Sequence, residues 1–385
     1  MKPFFFAALF CAFSFSSLCS AIYHHVIDAA RAPSTSSTNR DSHIGSFANA
    51  SAPDSLLAKQ PLSVGDRGDA VGKEKEDNDK GKQLTFESRS VYTWEVAQLD
   101  APFNELIISW NSSRPETGAY LIEVSLLQEA GWSPWLRYAR WGAEDQTSFS
   151  YTQGKIQVDQ DVISADGHGF KVRVTSQEGA RLRKLRSLHV ATAPLPATPS
   201  RYPSPSRINL ACQGLSQMAL QDERKERLCS PTSTLAVLHF LNYATHLGPL
   251  EFATNCWDRG FDIFGNWVFN IAAASSMIET GHLTCWVERL TGIEQICTSL
   301  HKGFPVVVSV KGPLAGSATP YANGHLLVVT GYDPIKKEVV CMDPAFPTDE
   351  TTHVRYALDD FLAAWKRRQN IAYLFDHTQT ICNSL

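Results

Sequence analysis

Short runs in which apolar and polar residues alternate fill the chain between residue 84 and about residue 192. The clearest runs are residues 105–110, 120–127, 155–162, 170–175 and 185–190. Gly, Pro and Asn residues separate these runs, as is typical of turns between strands. The pattern therefore predicts an all-β sandwich over residues 85–192.

The pattern changes after about residue 209, where helix-compatible stretches alternate with strand-like runs. Residues 230–246 form the first helix-compatible stretch, and residues 359–368 have the spacing of a short amphipathic helix. The strand-like runs are residues 305–310, 325–331 and 338–343. This mixture predicts a second domain, of the α/β or α+β class, over residues 209–385.

A proline-rich segment separates the two predicted domains. Its prolines are Pro194, Pro196, Pro199, Pro203 and Pro205. Prolines at this spacing favour an extended, polyproline-like chain. Residues 193–208 are therefore predicted to be a stiff linker in a multidomain protein.

The N-terminus has the pattern of a secretory signal peptide. Lys2 precedes an apolar stretch over residues 4–15, and mostly small residues follow as far as Ala21. We expect cleavage after Ala21 to remove residues 1–21 and the protein to be exported (periplasmic, cell-surface or secreted). A retained membrane anchor is the alternative. Residues 22–84 are rich in Ser and in charged residues, which predicts a disordered spacer.

Composition and charge exclude several classes of protein. The chain has 385 residues, of which 35 are basic and 39 acidic. Because there is no excess of positive charge, nucleic acid is not expected as a partner. No apolar run of about 18 residues follows the N-terminus, so no membrane span is expected after signal cleavage. A Walker-type Gly-Lys-Ser/Thr motif is absent from the sequence, so no nucleotide is expected.

Seven of the nine cysteines remain once the signal peptide is removed, and all lie beyond residue 211. They are Cys212, Cys229, Cys256, Cys285, Cys297, Cys341 and Cys382. An odd number in an exported protein implies at least one unpaired thiol. None has the CxxC spacing of a zinc site, so no metal or other cofactor is expected. If one thiol is reactive, the other six could form up to three disulfides, in pairings that the sequence leaves open.

Cys229 is the candidate nucleophile, because it stands where a helix is predicted to begin. Ser230 is expected to cap this helix, and Pro231 suits its first turn. The positive end of a buried helix favours the thiolate form of a cysteine, which is the form that attacks carbonyl groups. A buried structural or disulfide-bonded cysteine is the alternative.

His325 and Asp343 are the candidate general base and its orienting carboxylate. His325 opens an apolar strand, and a turn over residues 332–337 connects this strand to a second one that ends at Asp343. In an antiparallel hairpin centred on residue 334 the two side chains would lie opposite each other. The carboxylate would then orient the imidazole ring. A shift of one residue in register would put Asp343 on the other face.

Two further features complete the predicted site. Gln217 lies twelve residues before Cys229 and is a candidate amide donor to a developing oxyanion, together with the Cys229 backbone N–H. Residues 312–324 are rich in Gly, Ala and Ser and lead into His325. They are interpreted as a substrate lid, with an ordinary surface loop as the alternative.

These segments resemble the peptidase C39-like family of bacterial cysteine peptidases, relatives of the bacteriocin-processing double-glycine peptidases. The matching segments are residues 216–217, 229–233, 323–326 and 342–344, with a further similarity over residues 265–270. The resemblance covers about residues 210–376. It implies a papain-like fold with a Cys-His-Asp triad. By the same resemblance, the residues expected to bind substrate are Trp267, Asn270, Asn323 and Gly324.

The predicted sandwich resembles the N-terminal domain that accompanies this peptidase domain in some bacterial proteins. The matching residues are 103–106, 109–111 and 132–135, together with Trp141. This part of the chain contains four tryptophans: Trp110, Trp132, Trp135 and Trp141. We interpret them as core residues, and stacking on sugars from an exposed face is the alternative.

The sequence thus predicts an exported cysteine peptidase that hydrolyses a peptide or isopeptide bond through an acyl-thioester intermediate. Its expected partner is a peptide or protein substrate, including cell-wall peptide. Three alternatives remain open. The same triad is suited to acyl transfer and to cell-wall amidase activity, and the protein could instead be a non-catalytic surface binder that acts through its sandwich.

Overall fold

The computed structural model describes residues 23–28, 91–144, 146–195, 206–278 and 282–378. The predicted signal peptide lies outside these residues, as do Cys382 and most of the predicted spacer and linker. Among the helices that are described, none is long and apolar enough to cross a membrane.

Two antiparallel sheets make up the N-terminal domain. Its strands are β1 (Tyr23–Asp28), β2 (Val91–Val96), β3 (Phe103–Ser112), β4 (Ala119–Gln128), β5 (Gly131–Trp132), β6 (Leu136–Gly142), β7 (Thr147–Ser148), β8 (Ser150–Gln153), β9 (Ile156–Asp159), β10 (Val162–Gly167), β11 (Gly169–Gln177) and β12 (Leu185–Ala193). One sheet has the order β1-β12-β3-β10-β9-β8, and the other has the order β2-β11-β4-β6-β7, with β5 paired to β4.

Four of the five predicted runs lie within single strands, namely β3, β4, β11 and β12. Along β11, for example, side chains alternate between buried and half-buried positions, as expected for a strand with one face in the core. Residues 155–162, which the sequence predicts as one run, instead form β9 and the beginning of β10. Gln160 between them has a φ of 54°, a turn conformation that ends the first strand.

β1 corrects the sequence prediction, which assigns residues 22–84 to a disordered spacer. It pairs with β12 from Tyr23, opposite Thr192, to Asp28, opposite Ser187. His25 and Ile27 on this strand are buried. The sequence of this strand does not alternate apolar and polar residues, and only in the assembled sheet do its side chains alternate between half-buried and buried positions.

The four tryptophans of this domain fall into two pairs. Trp110 and Trp141 are fully buried, and their rings meet edge to face at 6.0 Å. Trp132 and Trp135 are half-buried, and a cationic side chain lies over each ring, at 4.0 Å and 4.2 Å. The core interpretation therefore holds for the first pair, while the second pair is covered by cation–π contacts.

One antiparallel sheet forms the centre of the C-terminal domain. Its strands are β13 (Ile208–Asn209), β14 (Leu283–Arg289), β15 (Val306–Gly312), β16 (Tyr321–Asp333), β17 (Glu338–Met342), β18 (His353–Ala357) and β19 (Ile371–His377). The helices are α1 (Cys229–Phe240), α2 (Pro249–Cys256), α3 (Trp267–Met277), α4 (Ile293–His301) and α5 (Leu358–Lys366). The sheet order is β14-β19-β15-β16-β17-β18, with β13 paired to β16.

Helices cover both faces of this sheet. Val307 and Val328 belong to the hydrophobic cluster that includes α1 and α3, whereas Val308 and Val329 belong to the cluster that includes α4 and α5. Neighbouring strand residues thus enter different cores, because successive side chains point to opposite faces. α1 ends at Phe240, earlier than predicted, and the chain then turns through Asn242 with a φ of 63°.

The two domains share a single hydrophobic cluster, which contains side chains from both N-terminal sheets and from α1, α3 and β14. Hydrogen bonds reinforce the contact along β14, an edge strand of its sheet. The Asn111 side chain accepts from Cys285 N at 3.0 Å and donates to Cys285 O at 2.9 Å. Ser109 Oγ accepts from Val287 N at 2.9 Å. β3 therefore covers the open edge of β14.

A buried ion pair crosses the same boundary. Glu105 and Arg289 are 5% and 4% exposed, and the guanidinium binds both carboxylate oxygens. Arg289 Nη1 also donates to Arg368 O at 2.9 Å and to Gln369 O at 3.0 Å. Since a buried charge is tolerated only when it is paired and hydrogen-bonded, neither member of the pair can be removed without cost.

We expect Glu105→Ala to lower the free energy of unfolding by about 3 kcal/mol or more, because it leaves the Arg289 charge buried and unpaired. Urea denaturation followed by tryptophan fluorescence measures this change. The control is Glu116→Ala, which removes the exposed partner of Lys184 and should change stability little. Equal stability of the two variants would contradict the role given to the buried pair.

Candidate active site

Cys229 is the first residue of α1, and the residues that follow it in this helix are mostly buried. The capping prediction for Ser230 is wrong, because Leu228 occupies the N-cap position. Ser230 lies inside the first turn, where its Oγ atom is 2.9 Å from Tyr373 Oη. Pro231 is in the first turn, as the sequence predicts. The positive end of the helix therefore acts on the sulfur itself.

His325 lies in β16 and pairs with Val310 of β15. Ser233 Oγ of α1 donates a hydrogen bond to Leu326 O at 3.0 Å. This bond ties the N-terminal part of α1 to β16 and keeps Cys229 next to His325. The histidine is 5% exposed and the cysteine is half-buried, so the pair lies just below the surface.

His325 and Asp343 are in direct contact, with 2.7 Å between Nε2 and Oδ1. The register of the hairpin nevertheless differs from the predicted one, which would place Val328 opposite Val340. The structure pairs Val328 with Met342, a displacement of two residues. Because side chains alternate along a strand, a displacement of two keeps Asp343 on the face of His325.

The Asp343 carboxylate is fully buried and accepts several hydrogen bonds. Its Oδ2 atom accepts from the hydroxyl of Tyr321 at 2.7 Å and from that of Tyr356 at 2.6 Å. Its Oδ1 atom also accepts from Ala345 N at 3.0 Å. These donors replace the water that a carboxylate loses on burial. Together with His325 they hold the pKa of Asp343 below its ordinary value although burial alone would raise it.

Sequence reasoning missed both tyrosines. Tyr321 falls in the segment predicted to be a lid, but only residues 313–320 lie between β15 and β16. The Tyr321 ring stacks on His325, with centroids 4.1 Å apart and planes inclined by 19°. Tyr356 lies on β18, thirteen residues after Asp343, and nothing in its local sequence marks it. Tyr321 thus orients the imidazole, and the C-terminal part of the predicted lid is fixed structure.

The protonation states of Cys229 and His325 depend on each other. Burial raises the pKa of the Cys229 thiol, but the hydrogen bond and positive charge of His325 and the N–H groups of Leu326 and Ser230 outweigh it, so the pKa is lowered. Burial lowers the pKa of His325, but the charge and hydrogen bond of Asp343, reinforced by Cys229, raise it well above its ordinary value. Both shifts favour a thiolate–imidazolium pair.

Gln217 is buried close to the same constellation. Its backbone N–H donates to Pro344 O at 3.0 Å, next to Asp343. Its side-chain Nε2 donates to Lys225 O at 2.7 Å, and Oε1 is buried without a hydrogen-bond partner. A side-chain amide has two N–H groups, so the bond to Lys225 leaves one available for another acceptor.

The residues that resemble substrate-binding positions lie in different settings. Trp267 is half-buried, Asn323 is exposed, and Gly324 is half-buried with a φ of 98°, which favours glycine. Asn270 was expected to bind substrate, but it is fully buried. Its amide nitrogen donates to Phe264 O at 2.8 Å and to Asn266 O at 2.7 Å. It therefore shapes the turn before α3 and does not line the surface.

The six cysteines within the described residues are free thiols. Burial raises the pKa of five of them: Cys212, Cys256, Cys285, Cys297 and Cys341. Cys229 alone among the six has a lowered pKa. A polarised thiol, a neighbouring imidazole and an orienting carboxylate are the parts needed for nucleophilic attack on a carbonyl carbon.

Comparison with known proteins agrees with this chemistry. Residues 210–373 match the Peptidase_C39 like family, and residues 38–192 match the Peptidase C39 N-terminal domain, a match that begins within the predicted spacer. No curated protein matches the chain. Xylellain, a cysteine protease from Xylella fastidiosa, is similar in structure at 12% identity, covering 47% of this chain and 92% of that chain with a TM-score of 0.30.

The protein is a cysteine-type peptidase. Its C-terminal domain belongs to the peptidase C39-like family, which it matches over nearly its whole length, and the preceding domain matches the Peptidase C39 N-terminal domain.

We expect iodoacetamide to label Cys229 selectively at a pH below that at which ordinary thiols react. The labelling rate should increase as pH rises through the lowered pKa of Cys229. Asp343→Asn removes the charge that keeps His325 protonated, so the pKa of Cys229 should increase and the rate profile should move to higher pH. Peptide mapping by mass spectrometry at several pH values measures these rates for all the cysteines. A profile that is identical in the two proteins would contradict the coupling.

Proposed function

We propose that the protein is an exported cysteine peptidase that hydrolyses a peptide or isopeptide bond with Cys229, His325 and Asp343. The main support is electrostatic. Among the described thiols, only that of Cys229 has a lowered pKa. Cys229 is hydrogen-bonded to His325, and the buried carboxylate of Asp343 orients this histidine. A sulfur in this setting ionises at a lower pH than an ordinary thiol and is the better nucleophile.

The first half of the proposed reaction is acylation of the enzyme. The Cys229 thiolate attacks the carbonyl carbon, and a C–S bond forms as the carbonyl π bond opens to an oxyanion. The tetrahedral intermediate then collapses, the C–N bond breaks, and the His325 imidazolium gives its proton to the leaving amine. The products of this half are the free amine and a thioester on Cys229.

Water completes the cycle. Neutral His325 removes a proton from a water molecule, which attacks the thioester carbon. The second tetrahedral intermediate expels the sulfur, and the acid product leaves while the thiolate–imidazolium pair is restored. Asp343 keeps the histidine ring oriented in both halves, and Tyr321 and Tyr356 keep Asp343 ionised.

We propose that the oxyanion is bound by the Cys229 backbone N–H and by the second N–H of the Gln217 amide. The N–H groups in the first turn of a helix have no partner within the helix, so that of Cys229 can bind an external acceptor. Losing one such donor typically costs about 10²–10³-fold in rate. We therefore expect Gln217→Ala to lower kcat more than it changes KM.

Export is part of the proposal and rests on the signal-peptide pattern of residues 1–21. We also infer that the two N-terminal sheets pack face to face as a β-sandwich, since buried side chains of both belong to one cluster. Because that cluster continues into the peptidase domain, the sandwich supports the catalytic domain.

Quenched fluorescent peptide libraries and purified cell wall, incubated with the full chain, test the activity. Cys229→Ala should abolish turnover, and His325→Ala and Asp343→Asn should each lower it by about 10³–10⁴-fold. Cys212→Ala removes a thiol outside the site and serves as the control. In ¹⁸O-labelled water, hydrolysis places one label in the acid product.

The other outcomes are distinct. Transfer of the acyl group to an added amine without incorporation of label would indicate an acyltransferase. Release of stem-peptide fragments from cell wall would identify an amidase. If the wild-type protein turns over no substrate and Cys229 reacts no faster than an ordinary thiol, the catalytic proposal is wrong.

A further inference from the structure

Arg368 has an unpaired guanidinium beside the candidate active site. Within the described residues, no hydrogen bond or ion pair of this side chain is found, and its Nε atom is buried without a hydrogen-bond partner. The neighbouring Arg367, by contrast, donates to Lys311 O at 3.0 Å and to Pro313 O at 3.2 Å. The half-buried guanidinium is therefore available to bind an anion.

The guanidinium lies between the strand of His325 and the beginning of α3. A Cβ atom at Gly324, the residue before His325, would be 2.6 Å from Arg368 Nη2. The positive φ of Gly324 favours glycine at this position, and the guanidinium occupies the space that a Cβ atom would fill. On its other side Arg368 lies over the ring of Trp267, with 5.9 Å from Cζ to the centroid.

The N-terminal domain holds the backbone of Arg368 in place. Arg289 Nη1 binds the carbonyl oxygens of Arg368 and Gln369, and Arg289 is itself paired with Glu105 on β3. Gln369 and Asn370 both have positive φ angles, which complete the tight turn between α5 and β19. The guanidinium is thus presented from a fixed turn, as a selective binding group requires.

No ionised acid within the described residues neutralises this charge by direct contact. The acid that acts on it is Asp161, which lies between β9 and β10 and makes no ion pair with Arg368. Asp161 Oδ2 accepts from Trp267 N at 2.9 Å, and its Oδ1 is buried without a partner. Burial raises the pKa of Asp161 to about 8, so at neutral pH its carboxyl group is mostly uncharged. Asp161 therefore leaves most of the positive charge of Arg368 uncompensated.

We propose that Arg368 determines substrate specificity by binding a carboxylate of the substrate near the bond that Cys229 attacks. A guanidinium binds a carboxylate through two parallel hydrogen bonds, and the Trp267 ring supports the cation from the side. The carboxylate belongs either to an acidic side chain or to the C-terminus of a short peptide. The inference rests on the proposed peptidase function.

Paired fluorogenic peptides test the subsite. Each pair carries Glu or Gln at one position beside the scissile bond, and each peptide is made with a free and with an amidated C-terminus. We expect the wild-type protein to prefer the acidic member at one position by about 10–100-fold in kcat/KM, the range for hydrogen bonds to charged groups. A preference that survives amidation identifies a side-chain carboxylate, and one that disappears identifies the C-terminus.

Arg368→Gln should bring the ratio of kcat/KM for the acidic and neutral peptides close to one. Arg368→Lys should retain part of the preference, because lysine keeps the charge but lacks the planar guanidinium that makes two parallel hydrogen bonds. Lys366→Gln removes an exposed positive charge two residues away and should leave the preference unchanged. The absence of any acid preference in the wild-type protein would overturn the inference, as would a preference that Arg368→Gln preserves.

A second measurement separates this inference from the proposed function. Iodoacetate carries a carboxylate and iodoacetamide does not, so the ratio of their reaction rates at Cys229 reports a nearby cation without any turnover. Arg368→Gln should lower this ratio several-fold, and Lys366→Gln should not. Rapid alkylation by iodoacetamide with an unchanged ratio would overturn the subsite alone. A Cys229 that reacts with neither reagent would instead refute the peptidase proposal.

Discussion

The buried carboxylate of Asp343 is the interaction on which the rest of the site depends. A carboxylate that loses its water must regain hydrogen bonds within the protein. Here two tyrosine hydroxyls, a backbone N–H and the imidazole supply them. The carboxylate in turn favours a protonated His325, and that charge favours the thiolate of Cys229. The protonation of both His325 and Cys229 thus depends on one buried charge.

The second feature on which the structure depends is a hydrophobic core that continues across the boundary between the N-terminal domain and the peptidase domain. The peptidase half contributes α1, α3 and β14 to a cluster that continues between the N-terminal sheets. The same boundary contains the buried pair of Glu105 and Arg289, whose guanidinium also fixes the turn that carries Arg368. Stability and substrate contact are therefore linked physically, and the N-terminal domain acts as part of the enzyme.

The sequence alone predicted those features that depend on interactions between residues close together along the chain. Alternation located the four longest strands of the N-terminal domain, β3, β4, β11 and β12, and Cys229 was placed correctly at a helix start because Pro231 restricts the chain there. His325 and Asp343 meet even though the register was displaced, because the displacement is even. Ser230, Tyr321 and Tyr356 could not be assigned in this way. Their partners lie on other strands, and only the assembled sheet brings such groups together.

The way β3 meets β14 has a consequence for fragments of this protein. The edge of a sheet has free N–H and C=O groups that can template pairing with another molecule. In the intact chain, the side chains of Asn111 and Ser109 form hydrogen bonds with such backbone groups of Cys285 and Val287. A peptidase domain produced alone would expose this edge beside an uncovered apolar surface. We expect such an isolated domain to self-associate. The N-terminal domain therefore also protects the peptidase domain against aggregation.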